Sequence, residues 1–238
     1  MSTYLITGAN RGLGLEHTKQ ALAAGERVIA TCRQPELATE LILLSEQYAR
    51  LSIEQLDLAK GESIASLVKR LHNTPIDFLF NIAGMFGGSW GNTADVQRQS
   101  LLNMDYDLWH EIMQANVYGH FELIAGLLSN VEQSTAKTIL MMSSDLGSIT
   151  NNTLGMAHAY RASKAALNML TKGLSVELAT KNITVVALAP GWVKTDLGGE
   201  GGHWEVDDSV RHQREVIVTL TPADNGKFID LQGKAVSW

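Results

Sequence analysis

Residues 3–14, TYLITGANRGLG, pass from a short apolar run into a glycine-rich turn, and this stretch sets the expected fold of the chain. The run at 3–7 is rich in β-branched and aromatic residues, which favours a β-strand. Gly8, Gly12 and Gly14 allow a sharp turn and a close approach of the backbone to a ligand. A helical pattern follows, so the turn would present a pyrophosphate to a helix N-terminus, where free N–H groups favour anions.

The glycine spacing is G-x-x-x-G-x-G, which differs from the G-x-G-x-x-G fingerprint of many dinucleotide-binding proteins. Three glycines between a strand and a helix are also compatible with a turn that binds nothing. Their position after the first strand of a chain in which strands and helices alternate favours the dinucleotide-binding interpretation.

Short apolar runs alternate with longer helical patterns along the whole chain. The predicted strands are 3–7, 27–31, 51–56, 76–80, 138–143 and 183–189, with a last one at 228–230. The predicted helices are about 12–24, 35–48, 61–72, 105–130 and 157–180. Runs as apolar as ITVVALA indicate strands covered on both faces. The pattern predicts an α/β fold with a doubly wound parallel sheet of about seven strands, and ligands at the strand carboxyl ends.

Composition narrows the class of protein. The chain has 238 residues, 45% of them hydrophobic and 18% charged, which favours one globular domain over residues 1–238. A net charge of −6 without basic runs argues against nucleic acid and membrane surfaces as partners. The single cysteine, Cys32, excludes a disulfide framework within the chain, and no apolar run is long enough to span a membrane. We therefore expect a cytoplasmic protein, and no metal site is predicted.

The end of the second predicted strand bears on the choice between NAD and NADP. An acidic residue there would hold the ribose 2′-hydroxyl of NAD. The chain has Thr31-Cys32-Arg33 instead, and no acid before Glu36. Arg33 and Arg11 could both bind a 2′-phosphate through charge-assisted hydrogen bonds, so NADP is favoured and NAD stays possible. The alternative is that both arginines are solvated surface groups.

Tyr160 and Lys164 lie four residues apart in AYRASKAALNML (159–170), so an α-helix places them on one face. A nearby cation favours the phenolate and would lower the tyrosine pKa from about 10. Ser143 and Ser144 end a predicted strand upstream, where a hydroxyl could meet the phenol. A serine, a tyrosine and a lysine so placed could bind a carbonyl and protonate its oxygen as hydride arrives.

Together these motifs closely resemble the short-chain dehydrogenase/reductase family in its single-domain form. The resemblance rests on these motifs, in chain order: TGANRGLG (7–14), Asp57-Leu58, NIAG (81–84), Asn116, Ser144, YRASK (160–164) and PGWVKT (190–195). VIATCRQP (28–35), YRASKAALN and PGWVKTDLGG look most like the carbonyl-reductase-like branch that includes C-factor-type proteins. The resemblance implies a Rossmann-type fold.

The resemblance also implies roles for individual residues. Ser144 would orient the substrate carbonyl, Tyr160 would be the general acid or base, and Lys164 would bind the nicotinamide ribose and lower the tyrosine pKa. Asn116 would hold a helix kink and a proton-relay water. Asp57 would contact adenine, and Val193 and Thr195 the carboxamide. The full set of implied cofactor contacts is Gly8, Asn10, Arg11, Gly12, Leu13, Gly14, Arg33, Asp57, Leu58, Asn81, Ala83, Gly84, Tyr160, Lys164, Pro190, Gly191, Val193 and Thr195.

Two departures from the family pattern stand out. The family usually has N-N-A-G where this chain has N-I-A-G at 81–84, which removes an amide that ties neighbouring strands. The interval from Ser144 to Tyr160 is also longer than is common. We expect the extra segment, GSITNNTLGMAH (147–158), to line the substrate mouth.

The expected function is an NADP(H)-dependent oxidoreductase that interconverts a carbonyl and an alcohol, and the resemblance implies a homodimer or homotetramer. One alternative is a C-factor-like signalling or nucleotide-sensing protein with weak catalysis. Another is a sugar-nucleotide epimerase or dehydratase, for whose C-terminal substrate domain the chain has little room. Segment 196–209 is predicted to be a mobile loop. His203 and Trp204 in it, with His212, would either cover a substrate or stay exposed.

Overall fold

The seven strands, which are distributed along the whole chain, form one parallel sheet. The computed structural model describes residues 1–238, with strands β1 (Thr3–Thr7), β2 (Arg27–Cys32), β3 (Leu51–Gln55), β4 (Phe78–Asn81), β5 (Thr138–Met142), β6 (Thr184–Ala189) and β7 (Phe228–Asp230). Their order is β3-β2-β1-β4-β5-β6-β7, and every neighbouring pair is parallel. The strand order reverses between β1 and β4, which is where a doubly wound sheet opens a crevice for a ligand.

Eight helices connect and cover the strands. They are α1 (Gly12–Ala23), α2 (Thr39–Gln47), α3 (Gly61–Arg70), α4 (Thr93–Gln97), α5 (Tyr106–Met113), α6 (Gly119–Glu132), α7 (His158–Glu177) and α8 (Val206–Ile217). Helices α1, α2 and α8 contribute to the core on one face of the sheet, and α3, α6 and α7 to the core on the other. No helix is both long enough and apolar enough to span a membrane.

The side chains of each strand alternate between the two faces of the sheet and contribute to the hydrophobic core on each face. Tyr4 and Ile6 of β1 face the α1 side, whereas Leu5 between them faces the α6 side, and all three are at most 2% exposed. Successive side chains of a strand point to opposite faces, so a strand covered on both sides must be apolar at every position. The uniformly apolar runs are therefore strands covered on both faces, and the α/β, Rossmann-like fold is confirmed.

Two predicted elements differ from the observed ones near the site. The helix predicted at 105–130 is continuous from 106 to 132 but contains a π-helical turn, Gln114–Tyr118, between α5 and α6. The helix predicted at 35–48 is divided into a short 3₁₀ turn, Pro35–Leu37, and α2. Single π turns recur at functional sites because they change the direction of side chains within a helix.

The prediction of a loop over 196–209 is wrong at its C-terminal end, because α8 begins at Val206. Helix α8 was missed because most of its residues are polar, and only a few, including Val210 and Ile217, are buried. Segment 196–205 has no helix, and it packs through its backbone on residues 89–91: the N–H of Trp90 donates to the carbonyl of Leu197 at 2.8 Å.

Helix α8 is joined to α1 by a buried hydrogen-bonded chain. His17 Nε2 lies 3.0 Å from Gln213 Oε1, and Gln213 Nε2 donates to the Ser209 hydroxyl at 2.9 Å. The Ser209 hydroxyl donates to the carbonyl of Pro190 at 2.8 Å. His17 is fully buried against the ring of Phe80, and burial lowers its pKa from 6.5 to about 3. The imidazole is therefore neutral in the folded protein.

Acidification should destabilise the fold through His17. The unfolded imidazole takes up a proton near pH 6.5, whereas the folded one does so only near pH 3. Its contribution is therefore fully present above pH 6.5 and is lost as the pH falls toward 3, by at most about 1.4 kcal/mol per pH unit. Urea unfolding at a series of pH values measures this slope.

The His17→Gln variant should show a smaller decline of the unfolding free energy between pH 7 and 4.5 than the parent. His72→Gln, at an exposed position, is the matched control and should keep the parental decline. Equal slopes in the parent and in His17→Gln would contradict the buried, neutral state of His17.

Candidate active site

The glycine turn packs directly on the end of the neighbouring strand. Gly8 has φ +66°, and a Cβ added to it would lie 2.9 Å from the Cα of Ala83. A Cβ on Gly14 would lie 2.3 Å from the carbonyl oxygen of Gly8. A side chain at either position would therefore clash with backbone, so the crevice between β1 and β4 needs glycine there.

The N-terminus of α1 opens onto this crevice. Arg11 precedes the helix in an extended conformation, no side chain caps the helix, and its first turn holds no acid. The N–H groups of the first turn, which include those of Gly12, Leu13 and Gly14, therefore have no side-chain acceptor. Such an end suits an anion. Asn10 is exposed in the same turn, and Leu13 packs against the core.

The two arginines assigned to a 2′-phosphate are both exposed, but their partners differ. Arg11 forms an ion pair with Asp196, with 2.8 Å between Nη1 and Oδ2. Arg33 directly follows the last residue of β2 and forms no ion pair. A phosphate that binds Arg11 would compete with the carboxylate of Asp196, whereas Arg33 is free to bind one.

The end of β4 is held by two side chains that the motifs did not indicate. The Thr7 hydroxyl accepts hydrogen bonds from the N–H groups of Ile82 and Ala83, both at 2.9 Å. His120 Nε2 lies 2.7 Å from the carbonyl oxygen of Ala83, and its Nδ1 lies 3.1 Å from Asn81 Oδ1. Thr7 and His120 thus secure the strand end in this chain, where Ile82 has no side-chain amide to do so.

His120 is buried and neutral. Burial lowers its pKa from 6.5 to about 4, and the Lys164 ammonium lowers it further, while the hydrogen bond to Ala83 acts in the opposite direction. A neutral imidazole has one N–H. Donation from Nε2 to Ala83 leaves Nδ1 as an acceptor, so the Asn81 amide must be turned by 180° to place its NH₂ group, and not Oδ1, beside Nδ1. The sequence offered no signal for this, since His120 lies within an apolar helical pattern.

Asn116 lies in the π turn and faces residues 84 and 85. Its Oδ1 accepts from the N–H of Met85 at 2.8 Å, and its Nδ2 donates to the carbonyl of Met85 at 2.9 Å. A second donation, at 3.0 Å, goes to the Ser163 hydroxyl on α7. The implied helix kink falls at the π turn and stays a prediction. Both amide N–H groups are engaged, so the side chain retains only a lone pair of Oδ1 for a relay water.

Ser144, Tyr160 and Lys164 meet beyond the end of β5. The Lys164 ammonium donates to the carbonyl of Met142 at 2.8 Å and lies 5.7 Å from the centre of the Tyr160 ring. A Cβ on Gly84 would lie 3.5 Å from Lys164 Nζ, so the turn that follows β4 also lies beside this ammonium. Ser143 is buried and donates to Asn168 Oδ1 at 2.6 Å. The half-buried Ser144 is therefore the serine whose hydroxyl faces the phenol.

The pKa values at this point differ from the sequence-based expectation. Burial raises the pKa of Tyr160 to about 12, and the Ser144 hydroxyl opposes this by hydrogen bonding to the phenolate. Burial also lowers the pKa of Lys164 to about 8. The expected lowering of the tyrosine pKa by the ammonium does not appear, because desolvation of both groups is the larger effect.

The start of α7 is held in a strained conformation. Met156 and Ala157 have φ values of 54° and 46°, in the left-handed region that costs a side-chain-bearing residue about 1 kcal/mol or more. Buried Gln99 accepts from the N–H of Tyr160 at 2.9 Å and donates to the carbonyl of Phe86 at 2.7 Å. The Phe86 ring packs edge-on against the phenol, with 5.2 Å between centroids. Gln99 and Phe86 thus position Tyr160, and neither belongs to a recognisable motif.

The remaining predicted cofactor contacts lie along the same edge of the sheet. After β6, Gly191 has φ +77° and lies against the Trp204 ring, and Val193 is buried. A Cβ on Gly12 would lie 3.6 Å from the Thr195 methyl, so the loops after β1 and β6 meet. The carbonyl of Pro190 accepts the hydrogen bond from Ser209 of α8.

Beyond β3, Asp57 accepts from the N–H of Ala59 at 3.0 Å and lies 3.7 Å from the Lys60 ammonium, and Leu58 is buried in the core.

Side chains of the two loops that were considered as a substrate cover pack on neighbouring parts of the protein. His203 packs on the ring of Trp192, with centroids 5.0 Å apart, and Trp204 packs edge-on against His212 at 5.4 Å. In segment 147–158, the Ser148 hydroxyl donates to the carbonyl of Ser237 at 2.6 Å, which ties the first half of that segment to the C-terminal tail.

Known proteins share this sequence pattern and fold. A family model described as short chain dehydrogenase matches residues 2–206. The C-signal protein of Myxococcus xanthus is 37% identical over 164 residues, which cover 69% of this chain and 93% of that protein. The structure of carbonyl reductase Sniffer of D. melanogaster superposes with a TM-score of 0.90 and 31% identity over 100% of both chains. NADPH-bound carbonyl reductase from chicken fatty liver gives a TM-score of 0.89 and 33% identity, covering 100% of this chain and 99% of that one.

These relatives agree with the carbonyl-reductase-like, C-factor-type resemblance of the motifs. The family model spans most of the chain, and it includes the glycine turn, the end of β4, the π turn and the serine, tyrosine and lysine of β5 and α7. The protein therefore belongs to the short-chain dehydrogenase family and is an oxidoreductase.

Proposed function

We propose that the protein is an NADP(H)-dependent carbonyl reductase that uses Tyr160 as its general acid and base. The observation that carries the proposal is the meeting of Ser144, Tyr160 and Lys164 at the strand edge onto which the glycine turn also opens. Two relatives of similar fold are named carbonyl reductases, and one of them was solved with NADPH, which supports both the reaction class and the cofactor.

The residues present fit a dinucleotide. The uncapped N-terminus of α1 and the backbone exposed at Gly8 and Gly14 would hold the pyrophosphate. Arg33 would bind a 2′-phosphate, Asp57 would contact adenine, and Val193 with Thr195 would contact the carboxamide. When bound, the nicotinamide would supply or accept the hydride.

The side chains of the site would then handle the proton. With its pKa raised to about 12, Tyr160 is a neutral phenol at pH 7 and is ready to donate its proton to the carbonyl oxygen. The Ser144 hydroxyl would hold that oxygen by a hydrogen bond. The Lys164 ammonium would stabilise the phenolate that remains, and the Met142 carbonyl fixes its position. In the oxidation direction the phenolate would take the proton back.

A second candidate is a signalling role with weak catalysis, and the similarity to C-signal favours it. The two roles differ in whether turnover of a carbonyl is needed. Substrate identity is set by the pocket walls and not by the shared fold. Oxidation of NADPH measured over a panel of aldehydes, ketones and quinones separates the candidates, because the signalling role requires cofactor binding alone.

One domain over residues 1–238, a cytoplasmic location, and a homodimer or homotetramer stay predictions. Apolar side chains exposed on α6 and α7, among them Phe121, Met169 and Val176, offer a surface for self-association.

Tyr160→Phe tests the assigned acid. The variant keeps the ring packing against Phe86 but has no proton to donate, so we expect kcat for an accepted carbonyl to fall about 100-fold to 10,000-fold. Binding of NADPH, followed by the change in its fluorescence, should stay near the parental value. Full turnover by this variant would refute the assignment of Tyr160.

The pH dependence of carbonyl reduction tests Lys164. Its pKa of about 8 means that the ammonium is present below pH 8 and is lost above it. We expect kcat/KM to be level near pH 7 and to fall about tenfold per pH unit above pH 8. Lys164→Arg keeps a cation at all these pH values, so any residual activity should lack this alkaline decline. A parental profile that stays level up to pH 10 would contradict the role.

Arg33→Ala tests the cofactor preference. Loss of a charge-assisted hydrogen bond to the 2′-phosphate should weaken NADPH binding about tenfold or more and leave NADH binding unchanged. Arg11→Ala should have a smaller effect, because Asp196 already engages that guanidinium. Arg27→Ala, at the opposite end of β2, is the control and should change neither affinity. Tighter binding of NADH than of NADPH by the parent would overturn the preference.

A further inference from the structure

A second concave site lies on α7, away from the catalytic side chains. A cavity of about 410 Å³, open to solvent on one side, is bounded by α5, the first turns of α7 and the segment that follows Ser144. Its volume falls in the range of small-molecule sites. Ser144, Tyr160 and Lys164 do not line it.

Helix geometry explains why the two sites are separate. Successive residues of an α-helix are about 100° apart around the axis. Ala162 and Ala165, which line the cavity, thus lie about 160° and about 140° from Tyr160 around the axis. The cavity and the phenol therefore occupy different faces of one helix.

Arg161 gives the cavity a buried positive charge without a partner. The residue is only 7% exposed, and its Nε has no hydrogen-bond partner. One terminal nitrogen makes a single long contact, 3.5 Å, to the carbonyl of Leu146, and no carboxylate lies within ion-pair distance. Burial lowers the pKa of this guanidinium. A buried, unpaired cation is costly, and an anion placed beside it would remove the cost.

The other walls of the cavity are mainly apolar. Tyr106 and Trp109 stack with centroids 6.2 Å apart and planes 14° apart, and both line the cavity with Met104. Leu101 and Ile149 also line it and are 82% and 76% exposed, so apolar surface continues from the cavity to solvent. These walls would accept a hydrocarbon chain or an aryl group, and removal of its apolar surface from water would favour binding.

We propose that this cavity is a ligand site for an amphipathic carboxylate, such as a medium-chain fatty acid, with the carboxylate on Arg161 and the tail along Trp109 and Leu101. A planar guanidinium matches a carboxylate with two parallel hydrogen bonds. A neutral apolar ligand would leave Arg161 unpaired. The site is separate from the proposed carbonyl reduction and does not require it.

The test is a direct binding measurement with decanoate, on the full chain saturated with NADPH and below the micelle concentration. Isothermal titration calorimetry should give one decanoate per chain. The uncharged analogue 1-decanol should bind at least about tenfold more weakly, because it cannot pair with the guanidinium. Tyr160→Phe should bind decanoate as the parent does, which distinguishes this cavity from the substrate site.

Two substitutions act on the cavity by different means. Arg161→Met removes the charge and keeps the length of the side chain, and it should weaken decanoate binding about tenfold or more, whereas Arg161→Lys should retain part of it. Ala162→Leu fills the cavity without a change of charge and should also weaken binding. Arg211→Met, on the exposed face of α8, is the matched control and should bind normally. Thermal unfolding checks that each variant is folded.

Three results would overturn the proposal. The first is no decanoate binding by the parent, including the case in which sedimentation shows that a second copy covers this face. The second is equal affinity for decanoate and 1-decanol. The third is parental affinity in both folded variants, Arg161→Met and Ala162→Leu.

Discussion

Burial of the sheet on both faces is the constraint on which the rest of this structure depends. Apolar side chains must fill every strand position, so polar chemistry is confined to the edge where the strands end. There, Thr7 and Asn81 end β1 and β4, and Ser144 lies two residues beyond β5. Thr7 accepts from the N–H of Ala83, whereas Asn81 and Ser144 meet His120 of α6 and Tyr160 of α7. The same constraint explains why the proposed cofactor site and the proposed catalytic groups occupy one edge.

The sequence predicted the elements whose signal is local. Apolar strand runs, the glycine turn and the spacing of Tyr160 and Lys164 each depend on neighbouring residues, and the fold followed from them. The groups that position the site were not predictable in this way. Gln99 holds Tyr160 across 61 residues, Thr7 holds Ala83 across 76, and His120 holds Asn81 across 39. Such contacts have no local pattern, and they emerge only when the strand order is known.

Desolvation sets the chemistry of the site more strongly than pairing does. Tyr160 and Lys164 are both buried, and burial raises the pKa of the phenol and lowers the pKa of the ammonium. Both shifts favour the neutral side chain, so proximity alone does not produce a phenolate. A neutral phenol suits the donation of a proton to a carbonyl. The strained backbone at Met156 and Ala157 and the buried Gln99 hold the phenol in this environment.

The π turn at Gln114–Tyr118 sets the rotational phase of everything that follows it in the same helix. Relative to an uninterrupted α-helix, its extra residue rotates α6 by about 100° about its axis. That rotation directs His120 toward Asn81 and Leu123 and Leu127 toward the sheet. Loss of one residue from the turn would therefore not be a local change. It would turn α6 by about 100°, so Leu123 and Leu127 would leave the core and His120 would leave Asn81, and core packing and the end of β4 would be lost together.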